Sequence, residues 1–164
     1  RQFGWVKLVT PEEYEDQTSH LGPEAIGPKM TKEKFITLLK NRPNMRIYQA
    51  LLDQHLIAGI GNIYANEALW QVGIRPTRRT KSINQKELVQ LFQSVHVILK
   101  KAISKGGTST DKYLDALGNI GTYVNYLKVY KQEGNTCKKK GCKGVIKRIK
   151  IGGRSAFYCP VHQK

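Results

Sequence analysis

The sequence predicts a mainly α-helical fold: a helical bundle to about residue 120, a small β-hairpin after it, and at the start a strand left over from a β domain. Three observations carry this. Leu88, Leu91, Phe92, Val95, Ile98 and Ala102 recur at the spacing of one long amphipathic helix. Residues 145–151, the pair Gly152-Gly153, and residues 155–158 read as strand, turn and strand. Residues 1–9 alternate around Phe3, Trp5, Val6 and Leu8 before Thr10-Pro11 and an acidic stretch. That is the end of a strand running into a linker, with its sheet partners missing, which suggests that an upstream domain was removed.

The hairpin segment carries its own staple. Cys137, Cys142, Cys159 and His162 fall as C-x4-C, sixteen residues, then C-x2-H, using all 3 cysteines of the chain. Three thiolates and an imidazole at this spacing suit a structural zinc site, because soft sulfur and imidazole nitrogen together close a tetrahedron. Redox or disulfide cysteines and chance spacing are the competing readings. The segment is too short to bury a core, so the metal would replace one. An odd cysteine count completed by a histidine argues against a secreted disulfide framework and for a reducing compartment, the cytoplasm or nucleoid.

With 164 residues there is room for one ordinary domain or two small ones. No run approaches the ~18 apolar residues of a membrane span, and no signal peptide is evident, so a membrane is not an expected partner. The chain begins with Arg1, which suggests processing or a fragment of something longer. Its formal net charge is +16, from 28 Lys and Arg against 12 Asp and Glu. Lys and Arg crowd residues 128–164 against a single acid, Glu133. Such a run can be only a solvated face. Joined to a metal module it points to nucleic acid phosphate.

The helix signals are local ones. Thr31 is an N-cap, stapled by Met30 and Phe35, for a helix that Asn41 and Pro43 end. A second runs from about residue 46 to 54. The long helix opens on an Asn84–Glu87 capping box with an Ile83–Leu88 staple, and Gly106-Gly107 stops it. His96 beside its apolar stripe reads as a packed residue, and His20 and His55 lack metal-binding neighbours.

Between two helices lies the run from His55 to Glu67, in which Gly59 and Gly61 allow consecutive tight turns and leave backbone amides uncovered. Asn62 then opens a helix whose N-terminal amides and dipole favour an anion. Equally, Asn62 could be a simple cap and the glycines simple turns. No apolar strand precedes this G-x-G, which disfavours a dinucleotide fold.

The run Leu51-Leu52-Asp53-Gln54, Ala58-Gly59-Ile60-Gly61-Asn62-Ile63-Tyr64 and Glu67 closely resembles the helix-two-turns-helix motif of the formamidopyrimidine-DNA glycosylase and endonuclease VIII family. Leu21-Gly22-Pro23 resembles the entry to its helical domain, Gly106-Gly107-Thr108 the start of its lesion-facing loop, and Gly152-Gly153-Arg154-Ser155 with Tyr158-Cys159-Pro160 its zinc finger. The resemblance spans essentially the whole chain and lies nearer the formamidopyrimidine branch. It implies a terminal strand with a wedge loop over 1–10, a linker over 11–20, a helix-two-turns-helix DNA-binding domain over 21–122 and a zinc finger over 123–164.

By the same resemblance, Asn62, with Gly61, holds a phosphate beside the lesion. Arg154 grips that region and donates a proton in the second elimination. Arg1 and Phe3 fill the gap left by an extruded nucleotide, offsetting an unstacking cost of a few kcal/mol; read without the resemblance, Phe3 is a strand residue of a core. The resemblance departs at the first knuckle, C-x4-C, at His162, and at a lysine replaced near Tyr48 or Gln49, for which Arg42 and Arg46 could compensate. The family's N-terminal proline nucleophile, with its glutamate and lysine, is not identifiable, and Arg1 is not that proline.

The resemblance thus implies the DNA-binding half of a bifunctional DNA glycosylase and abasic-site lyase for repair of oxidised purines. The expected partners are damaged double-stranded DNA and the missing N-terminal catalytic domain, the expected cofactor is one structural zinc, and the expected state is a monomer inactive alone. The rival is a stand-alone, non-catalytic zinc module that binds nucleic acid by charge. A zinc enzyme is disfavoured, since four protein ligands leave no position for a reactive water.

Overall fold

The computed structural model describes residues 6–108, 118 and 120–164. Five helices and one hairpin form among them: α1 Pro11–Thr18, α2 Lys32–Lys40, α3 Ile47–Leu52, α4 Asn62–Val72, α5 Gln85–Ser104, β1 Lys147–Ile151 and β2 Arg154–Tyr158. Short 3-10 turns at Thr80–Ser82 and Tyr123–Tyr126 lead into and away from α5. None of the helices is long and apolar enough to cross a membrane.

Most of the linker expected over residues 11–20 forms a helix, α1. Thr10 Oγ1 accepts the Glu13 N–H at 3.2 Å while Glu13 Oε2 accepts the Thr10 N–H at 2.9 Å, closing a capping box in front of Pro11. α1 buries none of its residues, so it leaves no apolar stripe in the sequence, and only its cap announces it. Residues 6–10 form no strand pairing among the described residues, and Val6 and Leu8 are fully exposed.

The other helices start where their caps dictate. Thr31 Oγ1 receives the Lys34 N–H at 3.2 Å, and Met30 and Phe35 are both buried as a staple requires. Asn84 Oδ1 receives the Glu87 N–H at 2.9 Å and Glu87 Oε2 the Asn84 N–H at 2.9 Å. Arg78 Nη1 donates to Glu87 Oε1 at 2.5 Å, and this guanidinium holds the Glu87 carboxyl below its ordinary pKa. Replacing Asn84 with Ala should cost about 1 kcal/mol of unfolding free energy in a denaturant titration.

α5 is the spine. It packs along α4 on one side and α2 on another, burying Leu88, Leu91, Val95, Ile98, Leu99 and Ala102. Gly106 and Gly107 end it: Gly107 N donates to the Ala102 carbonyl at 2.8 Å. One core joins Phe35, Leu39, Ile47, Leu51, Ile57, Ile60 and Leu69 to these residues, and it takes in Ile151 and Ala156 from the hairpin. The hairpin therefore sits on the helical body. A second, smaller cluster of Trp70, Val129, Cys137, Ile146, Phe157 and Cys159 lies beneath the cysteines.

β1 and β2 pair antiparallel with Ile151 opposite Arg154, so only Gly152 and Gly153 make the turn. Their φ values of +57° and +77° are those of a primed two-residue turn, which glycine enters without strain. Arg154 is thereby the first residue of β2, at the tip of the ribbon.

Candidate functional site

The chain enters α4 from a turn that Gln54 ties together: Gly59 N donates to Gln54 Oε1 at 2.9 Å, and Gln54 Nε2 donates to the Ile60 carbonyl at 3.0 Å. Gly59 has φ +88°, as a tight turn needs, but Gly61 does not: its φ of −94° and ψ of 176° are extended, and it is the N-cap of α4. Gly61 is open for another reason. A Cβ there would meet nothing within 4 Å, so glycine leaves the first turn of α4 uncovered to an approaching group. The N–H groups of Gly61, Asn62 and Ile63 have no acceptor among the described residues.

Asn62 is the first helical residue rather than the cap, and its side chain faces a fixed network. Asn66 Oδ1 accepts the Phe157 N–H at 2.6 Å, which fixes the orientation of the Asn66 amide. Asn66 Nδ2 then donates to the Asn62 carbonyl at 2.8 Å and to Asn62 Oδ1 at 3.0 Å. The Tyr48 hydroxyl also meets Asn62 Oδ1. With Oδ1 held inward by two donors, the Asn62 NH2 group is left outward with no protein acceptor among the described residues.

Arg154 comes to the same place from the hairpin. Leu52, Gln54, Gly59, Ile60, Gly61, Asn62 and Arg154 line one open concavity of about 340 Å³. Uncovered helix amides, an outward carboxamide and an exposed guanidinium converge there, all of them donors. The arrangement suits a phosphodiester oxygen. Arg42 and Arg46 are exposed near the start of α3 and do not line this concavity. Arg1 and Phe3 lie outside the described residues, as does most of the loop after Thr108, whose Oγ1 is 3.0 Å from Tyr64 Oη.

The cysteines form the second part. Cys137, Cys142 and Cys159 converge, with all three sulfurs within 4.8 Å of one another, and this cluster could hold a metal ion. Cys142 Sγ and Cys159 Sγ are 3.6 Å apart. Two thiolates on one tetrahedral zinc at ~2.3 Å would be about 3.8 Å apart. Each sulfur receives one N–H at 3.4 Å: Trp70 Nε1 to Cys137, Gly144 N to Cys142 and His162 N to Cys159. The Gly144 amide pulls the Cys142 thiol below its ordinary pKa, while burial pushes the Cys159 thiol up.

His162, the fourth ligand the sequence spacing suggested, lies outside the cluster of three sulfurs. Its backbone lies against Cys159, but its ring Nε2 sits 2.7 Å from the Trp70 carbonyl and packs edge-on to the Trp70 ring. That carbonyl belongs to the last turn of α4, where backbone acceptors seek donors, and the imidazole supplies one.

Sequence reasoning gave no role to the residues that fasten the two parts together. Glu67 is 3% exposed, and its carboxylate accepts three consecutive amides: Lys128 N at 2.9 Å on Oε2, Val129 N at 3.0 Å and Tyr130 N at 2.9 Å on Oε1. Burial pushes the Glu67 carboxyl above its ordinary pKa, against the pull of these amides. At the far end, Gln163 takes the Cys159 N–H at 2.8 Å and donates to the Ile74 carbonyl at 2.8 Å. Lys164 N donates to the Gly73 carbonyl at 2.9 Å, completing a strap over the end of α4. These partners are far apart in sequence, so no local pattern marks them.

A helix entered through two turns, opening on a donor-lined concavity beside a cysteine-bearing hairpin, defines a helix-two-turns-helix fold. Residues 21–113 match the formamidopyrimidine-DNA glycosylase H2TH domain. Over 164 residues the chain is 38% identical to the formamidopyrimidine-DNA glycosylase of Paracoccus denitrificans, covering 100% of this chain and 58% of that protein. It is 40% identical to that of Gluconobacter oxydans, covering 100% of this chain and 60% of that one. Among solved structures, a complex of Lactococcus lactis Fpg with abasic-site DNA superimposes with a TM-score of 0.82 at 35% identity, over 93% of this chain and 55% of that one. The MutM (Fpg) protein of Thermus thermophilus gives 0.83 at 30%, over 93% and 57%.

The chain belongs to the formamidopyrimidine-DNA glycosylase family, in the part that holds its helix-two-turns-helix domain. It spans about three-fifths of the length of these curated relatives.

Proposed function

We propose that this chain is the DNA-holding part of a base-excision DNA glycosylase and abasic-site lyase acting on oxidised purines. The observation that carries the reading is the convergence of the Asn62 side chain, the uncovered amides of Gly61 and Asn62, and Arg154 on one concavity. The occupant is a backbone phosphate beside the lesion. Contacts of this kind fix the register of a duplex and leave base recognition to other groups. The net charge of +16 supplies the long-range attraction. The Lactococcus relative's complex with abasic-site DNA supports the same ligand for this fold. In this reading Arg154 both grips the phosphate and stands close enough to the sugar to donate a proton during elimination.

The metal is a single structural zinc. Cys137, Cys142 and Cys159 would hold it, and His162 would close the fourth corner. Zinc supplies a rigid cross-link here and no reactive water.

The test is a comparison of affinities for a duplex with an abasic analogue and for the same duplex intact, at one fixed salt concentration. Preference for the analogue is expected, and Asn62→Ala should reduce affinity for it by about tenfold, since a hydrogen bond to a charged group is worth roughly 1.5–3 kcal/mol. The intact duplex should lose less. Equal affinity for the two duplexes with a steep salt dependence would instead identify a general charge-driven nucleic acid module.

A further inference from the structure

We infer that Tyr48 is a positioning residue that sets the Asn62 amide and the Arg154 end of β2 in one register. The inference rests on the phosphate-clamp reading above and adds to it the group that makes the clamp a unit. Tyr48 is 0% exposed, the second residue of α3, with its ring in the helical core. Its hydroxyl nonetheless touches one acceptor from each arm: Asn62 Oδ1 on α4, and the Ser155 carbonyl on β2 at 2.7 Å. Ser155 is the residue after Arg154.

A phenol has one proton for these two carbonyl-type oxygens, so the hydroxyl is shared between the arms. No other side chain hydrogen-bonds to both Asn62 and the Arg154–Ser155 stretch among the described residues. The neighbouring residue supports the same join: a Cβ on Gly152 would come 2.8 Å from Gln49 Nε2, so α3 lies directly under the hairpin tip. Tyr48 and Gln49 together form the floor on which Arg154 is presented.

The direction of the Asn62 carboxamide decides whether it attracts or repels phosphate. With Oδ1 inward, NH2 faces the concavity, and turned over, an oxygen would face an anion. Asn66 supplies one inward hold on Oδ1 at 3.0 Å and Tyr48 the other. Losing the hydroxyl removes the hold that is shared with the hairpin.

The experiment is a double-mutant cycle of Tyr48→Phe with Asn62→Ala, reading affinity for the abasic-analogue duplex, beside the side-chain amide NMR signals of Asn62 in the free protein. Tyr48→Phe keeps the ring in the core, and far-UV circular dichroism confirms the fold. The expected loss is about fivefold for Tyr48→Phe alone, the usual worth of one hydrogen bond, and smaller when Asn62 is already Ala, where only the hold on Ser155 remains to be lost. In the free protein the Asn62 side-chain amide signals should shift in Tyr48→Phe, because the hydroxyl that bonds Oδ1 is gone. Equal losses in both backgrounds, or unchanged Asn62 amide signals, would overturn the inference. A wild-type chain that does not distinguish abasic from intact duplex would sink the lesion-binding reading, while the free-protein signals still decide whether Tyr48 positions Asn62.

Discussion

Treatment with a strong zinc chelator is expected to unfold the chain from about residue 129 onward while α2 to α5 keep their helical signal. Apart from its contacts with the helical body, the segment has only a small cluster of its own to hold it. Its own apolar cluster is six buried residues, and three of its members, Cys137, Cys159 and Trp70, are the cysteines and their indole neighbour. The sulfurs lie within 4.8 Å of one another, so without a cation they become crowded thiols or mutually repelling thiolates. Binding of zinc to such sites contributes on the order of 10 kcal/mol to folding, more than so small a cluster can supply. The helical core is a separate cluster built on Phe35, Leu39, Leu69, Leu88 and Leu91, and it does not pass through the sulfurs.

Trp70 reports the event. Its Nε1 donates to Cys137 Sγ at 3.4 Å and its ring meets His162, so tryptophan emission should change on chelation and return when zinc is added back. Amide exchange should lose protection along β1 and β2, and DNA affinity should fall with it, because the turn that presents Arg154 comes apart. Unchanged emission and unchanged exchange after chelation would show that no metal supports the module. Cobalt substitution tests the fourth corner: a tetrahedral cobalt spectrum altered by His162→Ala places the imidazole on the metal. An unaltered spectrum would show that the imidazole is not a ligand.

The parts of this molecule that could be read from sequence are those with a local cause. Thr31, Asn84 and the Gly106-Gly107 pair each act within one helical turn, and the helix bounds followed from them. Gly152-Gly153 determines a hairpin because only a primed turn joins two strands in two residues. The capping box at Thr10 and Glu13 was equally legible, but an acidic helix with no buried face offers no periodicity to draw attention to it. Cysteine spacing pointed to three sulfurs that do lie together and could not foresee that a carbonyl at the end of α4 would meet the His162 ring. Tyr48, Asn66 and Glu67 act through partners 61 to 107 residues away where they join the hairpin side of the molecule. Such roles exist only once the chain has folded.

Glu67→Gln is the substitution expected to destabilise the described structure most for its size. The change removes a charge and keeps the shape, and at an exposed site it would be close to neutral. Here both oxygens are committed: Oε2 to Lys128 N at 2.9 Å, Oε1 to Val129 N at 3.0 Å and Tyr130 N at 2.9 Å. A carboxamide has one oxygen. If that oxygen faces Val129 and Tyr130, its NH2 faces the Lys128 N–H, donor against donor. Turned over, two amides lose their acceptor instead of one. Each buried N–H left without an acceptor costs about 1–3 kcal/mol, and the charge-assisted bonds that remain become neutral ones.

The expected loss from Glu67→Gln is therefore about 2–4 kcal/mol in a denaturant titration at neutral pH, with the added sign that it appears first in the hairpin. Residues 128–130 are the hinge by which the metal module is fastened to α4, so exchange protection in residues 128–158 should fall before that of α5 does. The zinc-loaded module would then remain folded locally yet swing on its tether. Arg154 would leave the concavity that Asn62 still occupies, and affinity for abasic-analogue duplex should drop although neither clamp residue has changed. A variant of wild-type stability and affinity would mean that the three amides find water or another acceptor as good as the carboxylate, and that the Tyr48 and Gln163 contacts alone hold the two parts in register.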